Sequence, residues 1–229
     1  MKNRLSYIIW LLLAPLAVAA GVLLAGEQGT AVAVFALVLL ALAPLLFTFE
    51  KKKHTAGEIT VLAALVAFAA ASRMALFALP GVKPVTAVVI FAGMLLGKEA
   101  GFAVGALSAL VSGFAFGIGG FTPFQMLAWG LCGLLAGILA PFLKKLPALL
   151  LYGALSGAAF SLVMDVWTVF SADGVFTLPR FLGTLGASLP FTVLYAFTNV
   201  VFLWLLRKPA NRILGRLQRR YGIFSPGEK

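Results

Sequence analysis

The sequence predicts an all-α polytopic membrane protein, and three observations carry that expectation. Hydrophobic residues fill 62% of the 229 positions and charged residues only 11%, with a mean hydropathy of +1.06. Apolar runs of membrane-spanning length recur along the chain, separated by short breaks of charge, glycine or proline. The basic residues collect in alternate breaks rather than in all of them. A chain this apolar cannot solvate its own surface, so the bilayer must be its solvent. Each crossing of roughly 30 Å of hydrocarbon takes about 20 residues, which leaves no room for a separate soluble catalytic domain.

Eight crossings are predicted, at 5–25, 30–49, 58–79, 83–97, 101–118, 121–140, 147–170 and 181–206. The first follows the basic start Lys2 and Arg4. Its Ala17-Val-Ala19 resembles a leader cleavage site, but an apolar run of about 20 residues exceeds a usual signal core, so the helix is expected to be retained. The second ends at the polar linker Glu50–Gly57, and the third opens behind it. The fourth is short: either it tilts or it begins as non-helical backbone at the Pro80–Pro84 turn. The fifth and sixth are glycine-rich, the seventh follows Lys144 and Lys145, and the eighth closes before Arg207.

With the N-terminus inside, 15 of the 18 lysines and arginines fall on the cytoplasmic side, leaving Lys83 and Arg180 outside and Arg73 within a helix. That bias sets orientation, with both termini cytoplasmic in a bacterial or archaeal inner membrane. The net charge of +11 is thereby topological, and nucleic acid is not an expected partner. The linker divides the chain into an N-terminal hairpin (1–50), the linker (51–57), a six-helix core (58–206) and a basic tail (207–229). The tail sets Ile213, Leu214, Leu217 and Tyr221 on one helical face with arginines elsewhere, which suits anionic lipid headgroups or equally a merely solvated tail.

Catalysis has few groups to work with. The sole histidine, His54, lies in the linker, and the sole cysteine, Cys132, lies in an apolar run. That leaves neither a serine–histidine pair within a span nor a zinc ligand set, so no enzyme activity, catalytic residue, metal or cofactor is expected. Ionisable groups inside spans are costly and point to function, which singles out Arg73 and Asp165 near the outer ends of the third and seventh crossings. The two are expected to pair or to share a ligand, against the plainer alternative of snorkelling to the interface. The polar and aromatic residues of the outer loops, Lys83, Thr86, Phe121, Phe124 and Gln125, together with the deeper Trp129, Trp167 and Tyr195, are expected to line a pocket bounded by the 80–86, 119–125 and 171–180 loops. The tryptophans also suit an interfacial belt. Ala63, Ala67, Ala71 and Ala75 form a smooth ridge that lets another helix approach closely, and Gly93, Gly97, Gly101, Gly105, Gly133 and Gly137 repeat at the same spacing.

The stretch from Lys83 to Ser112, followed by Phe121-Thr-Pro-Phe-Gln-Met-Leu-Ala-Trp-Gly130, resembles the substrate-binding S components of energy-coupling factor (ECF) transporters, over about residues 58–206. The resemblance implies a six-helix subunit that captures a vitamin or related micronutrient outside the cell. It also implies a transmembrane coupling subunit and two cytoplasmic ATPases as partners, with Ala63, Ala67 and Ala71 matching the family's docking patch and Ala75 extending it. The chain has no phosphate loop of its own, so hydrolysis falls to those partners. The 121–130 segment is most similar to the cobalamin-type subgroup, ahead of flavin and queuosine-like substrates. The hairpin 1–50 is extra to the family pattern. A ligand-free membrane scaffold or assembly protein remains the alternative.

Overall fold

The computed structural model describes Leu42 and residues 54–224, and over these the chain folds into seven helices. The crossings predicted at 5–25 and 30–49, and so the N-terminal hairpin, lie outside the described residues apart from Leu42. The helices are α1 (Ala56–Ala75), α2 (Val85–Leu96), α3 (Lys98–Phe116), α4 (Phe121–Ile138), the one-turn α5 (Ala140–Leu143), α6 (Leu146–Asp173) and α7 (Leu178–Tyr221). Five of them, α1, α3, α4, α6 and α7, are long and apolar enough to cross a membrane.

Local signals set the helix starts. Thr55 and Glu58 form a reciprocal capping box at the head of α1: the Thr55 hydroxyl accepts from the Glu58 amide at 3.2 Å, and the Glu58 carboxylate accepts from the Thr55 amide at 2.9 Å. Proline in the first turn, where a missing N–H costs nothing, opens both α6 and α7. Left-handed glycines close the same two helices, Gly174 at φ 79° and Gly222 at φ 61°.

The fourth predicted crossing is the short one, and the structure shows why. Twelve residues of helix rise about 18 Å, well under the hydrocarbon thickness, so α2 alone is too short to be a full helical crossing. Instead α2 is the centre of the bundle: ten of its residues are buried, with Val85, Ala87, Val89, Ile90 and Ala92 wholly enclosed. Non-helical backbone over residues 76–84 completes its path, as the alternative at the Pro80–Pro84 turn had it. Irregular backbone at membrane depth is tolerated where protein surrounds it.

Glycine sets the spacing around α2. A methyl group on Gly93 would strike the Gly133 carbonyl, one on Gly101 would strike both Gly133 and the Gly93 Cα, and one on Gly105 would strike the Trp129 carbonyl. The reciprocal substitution at Gly133 meets the Gly101 carbonyl, and Gly137 lies against Lys98. Three helices therefore touch backbone to backbone along one seam, which gains dispersion contacts that no larger side chain would allow. The pair α6 and α7 uses the same device at Gly153 and Gly157, where Asn199 donates to the Gly153 carbonyl at 3.2 Å.

The tail differs from its predicted form. There is no break at residue 206: α7 runs for 44 residues, about 66 Å, through Pro190 and Pro209. Leu214 is buried in the core cluster with Leu217 packed beside it, while Ile213 and Tyr221 are exposed, so the apolar face is divided between bundle and surroundings. Gln218 donates to the Leu95 carbonyl, and the Phe224 amide donates to Glu58 at 3.0 Å. These contacts fix the tail beneath the ends of α1 and α2. That end also carries Lys98, Lys144 and Lys145 and is termed the basic end below.

Gly133→Leu is expected to destabilise the bundle by more than about 3 kcal/mol, beyond ordinary overpacking, because rigid backbone on the facing helix cannot yield. Gly215→Leu, with only the far end of a flexible arginine nearby, is expected to be tolerated. Thermal unfolding and elution profiles of the two variants in one detergent compare them directly.

Candidate functional site

At the end opposite the basic one, the C-terminal turn of α1 separates from α6 and α7. A cavity of about 590 Å³ opens there, lined by Arg73, Leu76, Phe77, Leu79, Pro80, Gly81, Lys83, Phe116, Phe160, Ser161, Phe191 and Tyr195. Its position follows from packing: α1 rests chiefly on α3 and α2, whereas α6 and α7 pack on each other. The 76–84 segment bridges the two units, and Thr198 of α7 holds it by donating to the Gly81 carbonyl at 3.0 Å.

Arg73 is buried, and none of the described carboxylates bonds to it. One guanidinium nitrogen donates to Ser112 Oγ at 2.6 Å and to Gln125 Oε1 at 3.2 Å. The guanidinium also lies 4.7 Å from the Phe116 ring centroid and 5.2 Å from that of Trp129. Neutral acceptors and ring faces hold the cation without neutralising it. Lys83 sits at the cavity's edge, its Nζ 5.9 Å from the Tyr195 ring centroid.

Behind the lining is a second polar layer. Trp129 Nε1 donates to the Tyr195 hydroxyl at 3.0 Å, and that hydroxyl shares a short hydrogen bond with Thr86. Trp129 stacks on Phe160 at 4.8 Å, and Phe160 meets Tyr195 edge-on at 5.2 Å. Four helices, α2, α4, α6 and α7, thus lock one aromatic wall in place.

Of the residues singled out in the sequence, Arg73, Lys83 and Tyr195 line this cavity, and Thr86, Gln125 and Trp129 bond to or lie against the lining. Phe121, Phe124, Asp165 and Trp167 are absent from the lining. Phe124 packs on Trp167 with centroids 5.4 Å apart, Trp167 lies against Gly120, and Phe121 lies against Gly119. The expected pairing of Arg73 with Asp165 is also corrected. Asp165 accepts from Ser188 on α7 at 2.8 Å, whereas Arg73 donates to Ser112 on α3 and Gln125 on α4. The cavity is bounded by the 76–83 segment and by helix walls, not by the 119–125 and 171–180 loops. Asp173 and Arg180 instead clasp their own turn with an exposed ion pair at 2.6 Å. Sequence reading missed Phe77, Phe116, Phe160, Ser161 and Phe191. Phe77 and Pro80 were within reach, since they follow Arg73 at helical spacing.

The alanine ridge of α1 is not part of the cavity lining. Ala63, Ala67, Ala71 and Ala75 are all exposed on α1, as are Ile59, Phe68 and Met74 around them.

Fold and cavity together define a multi-pass helical membrane protein with a cationic, aromatic-walled chamber at the end opposite the basic one. The family model described as "ECF-type riboflavin transporter, S component" matches residues 53–211, and the chain belongs to that family. No curated protein and no solved structure matches it.

Because Arg73 and Asp165 answer to different partners, Arg73→Ala and Asp165→Ala are expected to be additive within about 0.5 kcal/mol in a double-mutant cycle of unfolding. Tyr195→Phe is expected to cost about 1–3 kcal/mol, since it leaves the buried Trp129 N–H without an acceptor. Intrinsic fluorescence during unfolding measures both.

Proposed function

We propose that the chain is the substrate-binding subunit of an ECF-type uptake transporter and that its chamber takes a flavin-sized heterocycle, riboflavin or a near relative. The observation that carries this reading is the buried, carboxylate-free Arg73, which opens together with Lys83 into an aromatic chamber of about 590 Å³. A cavity of this volume suits a ligand of a few hundred daltons. A flavin offers a planar ring for the Phe160 and Tyr195 wall and carbonyl acceptors for the two cations. The family description, which names riboflavin, points the same way. A corrinoid of the cobalamin type has several times that bulk and could only rest at the mouth, so this substrate class ranks behind the flavin. An open chamber also weighs against a ligand-free scaffold.

In this reading the chamber faces outside and the basic end lies in the cytoplasm of a bacterial or archaeal cell, as the distribution of lysine and arginine requires. The exposed alanine ridge of α1 docks on the transmembrane coupling subunit, where small residues permit close approach. Two cytoplasmic ATPases supply the hydrolysis that this chain has no phosphate loop to perform.

Purified protein is expected to quench riboflavin fluorescence at a stoichiometry near one, and Arg73→Gln to weaken binding by about 1.5–3 kcal/mol, the worth of hydrogen bonds to a charged group. Lys83→Gln, which removes the other cation of the chamber, is expected to weaken binding in the same titration. Tight binding of cobalamin with no response to riboflavin would reverse the ranking. Ala67→Trp is expected to reduce uptake in cells at least about tenfold while leaving affinity within about twofold, since the added ring obstructs docking and not the chamber. Equal loss of both would make the ridge a structural surface.

A further inference from the structure

The basic end carries a second, unrelated opening. Arg207 Nη2 donates to the Lys144 carbonyl at 2.9 Å, which ties α7 to the turn before α6. Two cavities adjoin there, sharing Arg207 and Asn211: an outer one of about 430 Å³ reached past Trp204 and Lys208, and an inner one of about 280 Å³ beside Lys144. Among the described residues, no acidic one lines either cavity. Neither the Lys144 nor the Lys208 ammonium bonds to another described residue, and Arg207 commits one nitrogen to the Lys144 carbonyl, so most of the donors around the opening are unspent. The head of α6 at Leu146 borders the outer cavity without a side-chain cap, and the N-terminal end of this 28-residue helix adds partial positive charge.

The rest of the lining is apolar. Phe91, Met94, Leu143 and Leu149 form the inner wall, and at the outer opening Trp204 is 61% exposed. A free phosphate would answer the cations but leave these surfaces without a partner. A ligand that joins one anionic phosphate to long hydrocarbon chains answers both, and a tryptophan at this position suits the depth at which headgroups lie. We propose that the opening between Lys144, Arg207, Lys208 and Asn211 binds an anionic phospholipid of the phosphatidylglycerol type. The phosphate is held by the cations and by the Asn211 amide, with the acyl chains running past the exposed Trp204 and the apolar wall beside it. This is a discrete site, distinct from general attraction of the arginine-rich tail to a charged surface. It rests on membrane residence and not on the identity of the solute.

The test uses the full-length protein in nanodiscs of phosphatidylcholine containing a minor share of phosphatidylglycerol, released for native mass spectrometry. The wild type is expected to retain at least one phosphatidylglycerol in preference to phosphatidylcholine. The double variant Lys144→Gln/Lys208→Gln, which breaks no bond seen in the fold, is expected to lose the adduct by more than about tenfold, each charge near a headgroup being worth about fivefold. Asn211→Leu is expected to lose it in part. Arg219→Gln/Arg220→Gln, on the exposed face of the same helix, is expected to keep it. Equal retention of both lipids, or an equal loss from the Arg219/Arg220 variant, would overturn the proposal in favour of diffuse attraction. Displacement by millimolar inorganic phosphate would overturn it in favour of a free-anion site.

Discussion

Backbone contact through glycine is the constraint on which the rest of the structure depends. Gly93, Gly101 and Gly133 bring α2, α3 and α4 so close that none of the three could carry even a methyl group at the crossing. In a bilayer the lipid is as apolar as leucine, so tight van der Waals fit, and not escape from water, must hold helices together. The seam supplies that fit and accounts for the short α2. A helix gripped on every side has no lipid to face and need not span the membrane. The rest of its path is then made by the irregular 76–84 segment, which is the segment that roofs the chamber.

A second consequence concerns charge. Arg73 sits at the end of α1, where the seam no longer holds the helices together and the gap toward α6 and α7 begins. An uncompensated cation is expensive in such surroundings. Ser112, Gln125 and the rings of Phe116 and Trp129 lower that cost without removing the charge. The chamber therefore retains electrostatic attraction for an electron-rich ligand, whereas an Arg73–Asp165 pair would have consumed it internally. Asp165 lies outside this economy, bonded to a serine hydroxyl across the α6–α7 contact.

How far the sequence reached can be judged from particular residues. Hydropathy located α1, α2, α3, α4, α6 and the start of α7 to within a few positions, because an apolar run of this length in lipid satisfies its backbone as a helix. The glycine spacing was visible, and packing accounts for Gly93, Gly101, Gly105, Gly133 and Gly137, whereas Gly97, at φ 106°, forms the junction of α2 and α3 with no neighbour against it. Arg73, Lys83 and Tyr195 were found because charge and aromatic hydroxyl groups are conspicuous against an apolar background. What failed was pairing. Arg73 and Asp165 lie at similar depth, but depth along a helix carries no information on azimuth, and only the packing of α1 on α3 decides which side Arg73 faces. The 119–125 and 171–180 segments were expected at the chamber's rim for a related reason: polar character marks an end of the bundle, not the position of a gap between helices. The continuation of α7 past residue 206 was hidden because the change in composition there is abrupt while the change in backbone is nil.

The geometry of α1 joins the two halves of the proposed function. Arg73 is on its buried side, while Ala71 and Ala75, two positions away in either direction, are on its exposed side. A straight 20-residue helix transmits a shift at one face to the other, because close-packed side chains cannot absorb it. The 76–84 segment, which contributes Leu79, Gly81 and Lys83 to the chamber, continues directly from the C-terminal end of that helix. A ligand that draws Lys83 and Arg73 together would therefore act on the end of the ridge itself. In this way occupancy of the chamber can bias docking without any contact between solute and coupling subunit, provided that the ligand binds one arrangement of α1 better than another.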